Sequence, residues 1–158
     1  MIGDRWGATD AEVAAAQPCD ALLPGGARAD RAISIAAPPA VVFRWLCQLR
    51  AAPYSYGLLD NRGRRSPRTL TPGLDALEPG QRFMTLFRLH SFGRDAHVTL
   101  RARNTAVTYA VRAEGSGTRL AVRVRSARPR IVNAGLLLGD LVMMRKQLLT
   151  LKERAERS

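Results

Sequence analysis

Four stretches between residues 81 and 126 alternate apolar and polar side chains with a period of two: "QRFMTLFRL" (81–89), "DAHVTLRAR" (95–103), "AVTYAVRA" (106–113) and "TRLAVRVRS" (118–126). That period is the mark of strands with one buried face. The "EGSG" between the last two is a tight-turn signal and predicts a hairpin. The alternation also sorts side chains by face. Val98, Leu100 and Ala102, then Val107, Tyr109 and Val111, then Leu120, Val122 and Val124 fall on one side; Arg101, Arg103, Arg112, Arg119, Arg123 and Arg125 fall on the other. One face is therefore expected to be apolar and the other a solvated pavement of arginine. Earlier in the chain, "RAISIAA" (31–37) alternates around Ile33 and Ile35 and predicts a further strand.

Elsewhere the period lengthens to that of a helix. Pro38 and Pro39 open "PAVVFRWLCQL", in which Val42, Trp45, Leu46 and Leu49 recur on one face. Thr9 and Glu12 have capping-box spacing, so "TDAEVAAA" is read as a short opening helix, closed by Pro18. The chain closes with "VNAGLLLGDLVMMRKQLLTLKERAER", free of proline and about 35 Å long if helical throughout. Leu137, Leu141, Met144, Leu148 and Leu151 form a stripe along it that needs a partner surface. The apolar sheet face is the obvious one. The expected fold class is α+β: a curved antiparallel sheet wrapped around a long C-terminal helix, in a single domain spanning 1–158.

Charge adds a question to this picture. Lys and Arg number 25 against 13 Asp and Glu, a net +12. An excess of that size attracts phosphates, anionic membranes or acidic partners, and it also follows from arginine-rich codon usage. The arginine face interleaves Thr99, Thr108, Ala110 and Ala121 and no aromatic side chain, which argues against nucleic acid. An anionic membrane surface or a second copy of the chain fits better, because the apolar first half of the last helix is flanked by Arg128, Arg130, Arg145 and Lys146. Cys19 and Cys47 are too few for a disulfide framework, and Asp4 and Arg5 precede any apolar run, so a reducing, cytoplasmic setting is expected. The apolar segment 131–144 is broken by Asp140, read as a solvated flank residue, and is too short to span a bilayer.

Chemistry-bearing motifs are sparse. "PGGARAD" lacks the spacing of a phosphate-binding loop, and neither a G-x-S-x-G nor an H-E-x-x-H pattern occurs. No cofactor and no metal are expected, since His90 and His97 stand seven residues apart without cysteine at ligand spacing. His97 falls on the arginine face and reads as a surface histidine. His90, read as ending a strand at Leu89-His90-Ser91, is a candidate general base.

Four segments, "WGAT", "AISIAAPPAVVFRWLCQL", "YSYGLLDNRGRRSPR" and "LEPGQRFMTLFRL", resemble bacterial members of the START-like, or SRPBCC, superfamily, which includes polyketide cyclase/dehydrase-like and lipid-transfer proteins. The resemblance covers nearly the whole chain. It implies a helix-grip (START/Bet v 1-like) core over 31–158, preceded by an extension over 1–30 with its short helix. It also implies a deep, largely apolar cavity between sheet and last helix. Tyr54 and Tyr56 are then candidates for the cavity rim, Asp60 and Asn61 for hydrogen bonding to a ligand, with Asp60 also a candidate proton carrier. Arg62 and Arg65, with Arg64 and Arg68 beside them, are candidates for holding an anionic headgroup. Phe83, Phe87, Val98, Leu100, Tyr109 and Val122 from the sheet, and Leu141, Met144 and Leu148 from the helix, would line the cavity. Three functions follow from this set: binding of a small hydrophobic molecule such as a lipid, polyketide or aromatic metabolite; a cyclase/dehydrase-like reaction in which His90, Tyr54, Asp60 or Tyr109 moves a proton; or peripheral membrane or partner binding through the arginines.

Overall fold

The computed structural model describes residues 5–23, 27–50, 70, 72–84, 86–127 and 144–158. In chain order the elements are β1 (Arg5–Trp6), α1 (Asp10–Ala14), α2 (Pro18–Leu22), β2 (Ala27–Ile35), α3 (Pro39–Cys47), a 3₁₀ turn (Gln48–Arg50), β3 (Arg82–Phe83), β4 (Phe87–Gly93), β5 (His97–Arg101), β6 (Thr105–Glu114) and β7 (Gly117–Ser126). A helix over 144–156, here α4, follows. The strands form one curved, open sheet in the order β1-β2-β7-β6-β5-β4-β3, antiparallel except for the parallel β1-β2 pair. This is an α+β helix-grip architecture: the curved antiparallel sheet that the alternation predicts, in the fold that the resemblance implies.

The inner face of β5, β6 and β7 is largely apolar for the reason the sequence shows. Val98 and Leu100 of β5, Val107 and Tyr109 of β6, and Leu120 and Val122 of β7 are buried in one cluster with Val42, Phe43, Trp45, Leu46 and Leu49 from the α3 region. From α4, Met144, Leu148, Leu151 and Ala155 join the same cluster at spacings of four, three and four, one face of a helix. The Trp45 indole N–H donates to Ser158 Oγ at 2.7 Å, tying α3 to the end of α4. The β6-β7 hairpin closes through Gly115-Ser116, and φ of +59° at Gly115 is a conformation such a two-residue turn requires.

Three sequence expectations change. The segment 81–89 is not one strand: it reverses at Met84, whose N–H donates to Leu49 O at 2.8 Å, and pairs with itself so that Phe83 lies opposite Phe87. Residues four apart share a face in a straight strand and also across this hairpin, so alternation alone could not reveal the turn. Pro18 does not close the opening helix, which already ends at Ala14; it stands at the first turn of α2, where its missing N–H costs nothing. His90 does not end a strand. It lies inside β4 as the extra residue of a bulge between Leu89 and Ser91, and it is exposed.

The largest change concerns the outer face. It is covered by α1 and α2, and its arginines are the means of attachment. The Arg123 side chain is 1% exposed. It donates to Asp30 Oδ1 (2.9 Å), Asp20 Oδ2 (2.8 Å) and the carbonyls of Glu12, Val13 and Ala15 at the end of α1. Arg28 reaches Val13 O as well. The end of α2 is served in the same way, by Arg101 on Leu22 O and Arg125 on Leu23 O. Helix C-termini leave carbonyls without partners and carry partial negative charge. Two five-residue helices too short to stand alone are thus capped by cations from the sheet beneath them.

At the other end of α1 the capping box is present: Thr9 Oγ1 accepts from the Glu12 N–H, and Glu12 Oε1 accepts from the Thr9 N–H. Glu12 is also held by Arg119, whose Nε and Nη2 donate to its two oxygens at 2.9 and 2.8 Å. Chiefly through that pairing, its carboxyl is lowered from 4.5 to about 2.

Candidate functional site

Among the described residues, the inner face buries Arg31 of β2, opposite Val122, and a polar pair in the middle of the grip. Tyr109 points inward from the middle of β6 and is fully buried. Its hydroxyl donates to Gln147 Oε1 of α4 at 2.7 Å, and Gln147 Nε2 donates to Met84 Sδ at 3.2 Å. Sheet, helix and hairpin tip thereby converge on one phenol, one amide and one thioether. Burying such groups is unfavourable unless they are paired, and each is paired here with another. Around them lie Phe83, Leu100 and Leu148, all inaccessible to solvent.

Met84 has φ of +47°, a left-handed conformation uncommon for a residue with a side chain. Its N–H bond to Leu49 O in the middle of the 3₁₀ turn holds that conformation, and Leu86 N–H closes the turn by donating to Met84 O at 2.7 Å. The neighbouring Leu86 is 79% exposed, so the hairpin tip joins the polar pair on one side to solvent on the other.

Of the lining residues expected from sequence, Phe83, Val98, Leu100, Tyr109, Val122, Met144 and Leu148 are buried in the common cluster, and Phe87 is half-buried against it. Tyr54, Tyr56, Asp60, Asn61, Arg62, Arg65 and Leu141 lie outside the described residues, as do Arg64, Arg68 and Asp140. Gln147 and Met84 were not anticipated. Gln147 was discoverable, because it stands between Met144 and Leu148 on the apolar stripe, where a polar side chain is out of place. Met84 was not, since only the reversal of the chain brings it to Tyr109.

The outer face holds a second polar chain under α2. His97 Nδ1 lies 3.2 Å from Thr99 Oγ1, Thr99 Oγ1 lies 2.9 Å from Thr108 Oγ1, and Thr108 Oγ1 accepts from the Cys19 N–H at 3.1 Å. Both threonines are buried. His97 is therefore half-buried rather than solvated, and burial lowers its pKa. Cys19 and Cys47 are also buried, and desolvation raises both thiols, Cys47 to about 12. At neutral pH they stay protonated and serve as small apolar side chains.

Two surface clefts are formed by described residues. One, of about 270 Å³, lies beside α3 between Arg44, Gln48, Leu74 and Asp75. The other, of about 190 Å³, lies under α1 between Glu12, Ala15, Ala110, Arg112 and Ala121. Neither is lined by Tyr109 or Gln147. Among the described residues no three His, Cys, Asp or Glu side chains gather as a metal site would need, and no helix is long and apolar enough to cross a membrane.

Comparison with known proteins places the fold. A Staphylococcus saprophyticus protein of known crystal structure matches with a TM-score of 0.56 at 12% identity, over 80% of this chain and 89% of its own. The solution structure of KanY matches with a TM-score of 0.56 at 16% identity, over 84% and 99%. XoxI from Bacillus cereus matches with a TM-score of 0.54 at 12% identity, over 82% and 95%. No family model matches the chain, and no curated protein matches it.

Proposed function

We propose that the protein binds a small, largely hydrophobic molecule between the inner sheet face and α4, and that Tyr109 and Gln147 orient it. The observation that carries this reading is the phenol-amide pair set among the buried apolar side chains of β5, β6 and α4. Small-molecule sites combine apolar walls with a few convergent polar groups. A ligand hydroxyl can accept from the Tyr109 hydroxyl and donate to Gln147 Oε1, replacing one bond with two, so both side chains stay satisfied in the empty and the filled state. Met84 supplies an adaptable, polarizable wall at the end nearest solvent. A lipid, a polyketide and an aromatic metabolite all have this chemistry.

Binding is favoured over a cyclase/dehydrase-like reaction by the groups present. Tyr109 meets an amide and a thioether, which neither take up nor release a proton near neutral pH. His90, the histidine considered for that task, is exposed on the far side of the bulge.

Native mass spectrometry of the purified protein tests the proposal against a panel of fatty acids, phospholipids and polycyclic phenols. A discrete adduct, released on denaturation and weakened roughly tenfold by Tyr109→Phe with the fold retained, is the expected result. That is the worth of about one hydrogen bond to a ligand. Absence of any adduct, or adducts unaffected by both Tyr109→Phe and Gln147→Leu, would sink it.

A further inference from the structure

The registers of the outer face place three arginines side by side. Arg82 of β3 lies opposite Arg88 of β4, and Arg88 lies opposite Arg101 of β5. Directly opposed residues share a face, and adjacent strands are about 4.8 Å apart, so the three side chains are rooted within about 10 Å of one another. The same row runs on through Ala106 to Arg125 and Arg28. The two halves of the row differ in chemistry. Arg125 is paired with Asp20 and Arg28 with Asp30, beneath the cover of α1 and α2.

Arg82, Arg88 and Arg101 have no such carboxylate among the described residues. Arg88 Nη1 donates to Gly80 O and Arg101 Nη1 to Leu22 O, both at 3.3 Å, which are single contacts to neutral carbonyls. Arg82 and Arg88 are exposed. Like charges directly opposite each other destabilise a sheet, and here two such pairs share the central Arg88. We propose that Arg82, Arg88 and Arg101 form a binding site for a phosphate-type polyanion, either a free oligophosphate or the phosphate of a lipid headgroup. The guanidinium fork matches phosphate oxygens with paired hydrogen bonds. A chain of two or three phosphates lies along the row and neutralises all three cations, whereas a single carboxylate would satisfy one. The site is on the opposite face of the sheet from Tyr109 and does not depend on what that residue binds.

Sodium tripolyphosphate at low ionic strength is the probe, read by isothermal titration and by thermal unfolding. Saturable one-to-one binding is expected, with affinity at least tenfold lower in Arg88→Gln and unchanged in Arg112→Gln, an exposed outer-face arginine off the row. Without the probe, Arg88→Gln should unfold at a higher temperature than the parent, because two repulsive pairs are gone. A rise in stability together with a loss of binding separates a site from a structural role. No saturable binding, or equal weakening by Arg88→Gln and Arg112→Gln, overturns the proposal, since the second outcome is only the response of a basic protein to an anion. With vesicles bearing a phosphomonoester lipid, binding that depends on Arg88 and is displaced by tripolyphosphate assigns the headgroup as the source. Saturable tripolyphosphate binding with no vesicle binding assigns the free anion.

Discussion

Replacing Arg123 with methionine should be among the most damaging single changes on the sheet, although the residue lies on the face that sequence alone marks as solvated. Methionine keeps most of the apolar stem and removes the guanidinium. Asp30 Oδ1 then loses its partner while its other oxygen keeps Arg28, and Asp20 Oδ2 keeps only the Gln17 N–H. The carbonyls of Glu12 and Ala15 lose the cap supplied by Arg123, and Val13 O retains Arg28. Removing one member of a buried ion pair costs about 3–5 kcal/mol. Because Arg28 remains, a value near the lower end, about 3 kcal/mol, is expected. With a urea slope of about 2 kcal/mol/M for a domain of this size, the midpoint should fall by about 1.5 M. Urea titration followed by the fluorescence of buried Trp45 measures it. In the Arg123→Met background, Asp30→Asn should cost about 2 kcal/mol less than in the parent, as expected of coupled groups. A midpoint shift below about 0.5 M would mean that the pairing is worth no more than a surface salt bridge, and the account of how α1 and α2 are held would be wrong.

Acid should act through Glu12. Its folded pKa of about 2 lies below its ordinary 4.5, so the stability it contributes is complete above pH 4.5 and is lost as pH falls from there through 2. The shift sets an upper limit of about 3 kcal/mol; Glu12→Gln should therefore flatten the acid limb of a stability-pH profile recorded over that window, and an unchanged limb would contradict the assignment. At Gly117 a Cβ would stand 2.5 Å from the carbonyl oxygen of Ile35, a backbone atom that cannot step aside. Gly117→Ala should cost about 1–3 kcal/mol by displacing β7 from β2, whereas Gly115→Asn, at a positive φ with open space, should cost well under 1 kcal/mol in the same denaturant assay.

What the sequence determined by itself is the part governed by local periodicity. Period two along 95–126 and helical spacing along Pro39–Cys47 and from Met144 onward specify which side chains enter the core, because burial selects the face directly. Tyr109 was identified as inward-facing on that basis alone. The tertiary structure decided everything that depends on distant segments meeting. It turned the arginine face from a solvated surface into an anchoring layer, because the carbonyls that Arg123, Arg125 and Arg101 cap lie at the ends of helices 79 to 111 residues away in the chain. It brought Gln147 and Met84 to Tyr109 across separations of 38 and 25 residues. It also divided one row of arginines into a paired half and an open half. A side chain's own periodicity fixes the face it occupies, but its partners are fixed only when another part of the chain packs there, and for charged and polar groups the partner determines the energy.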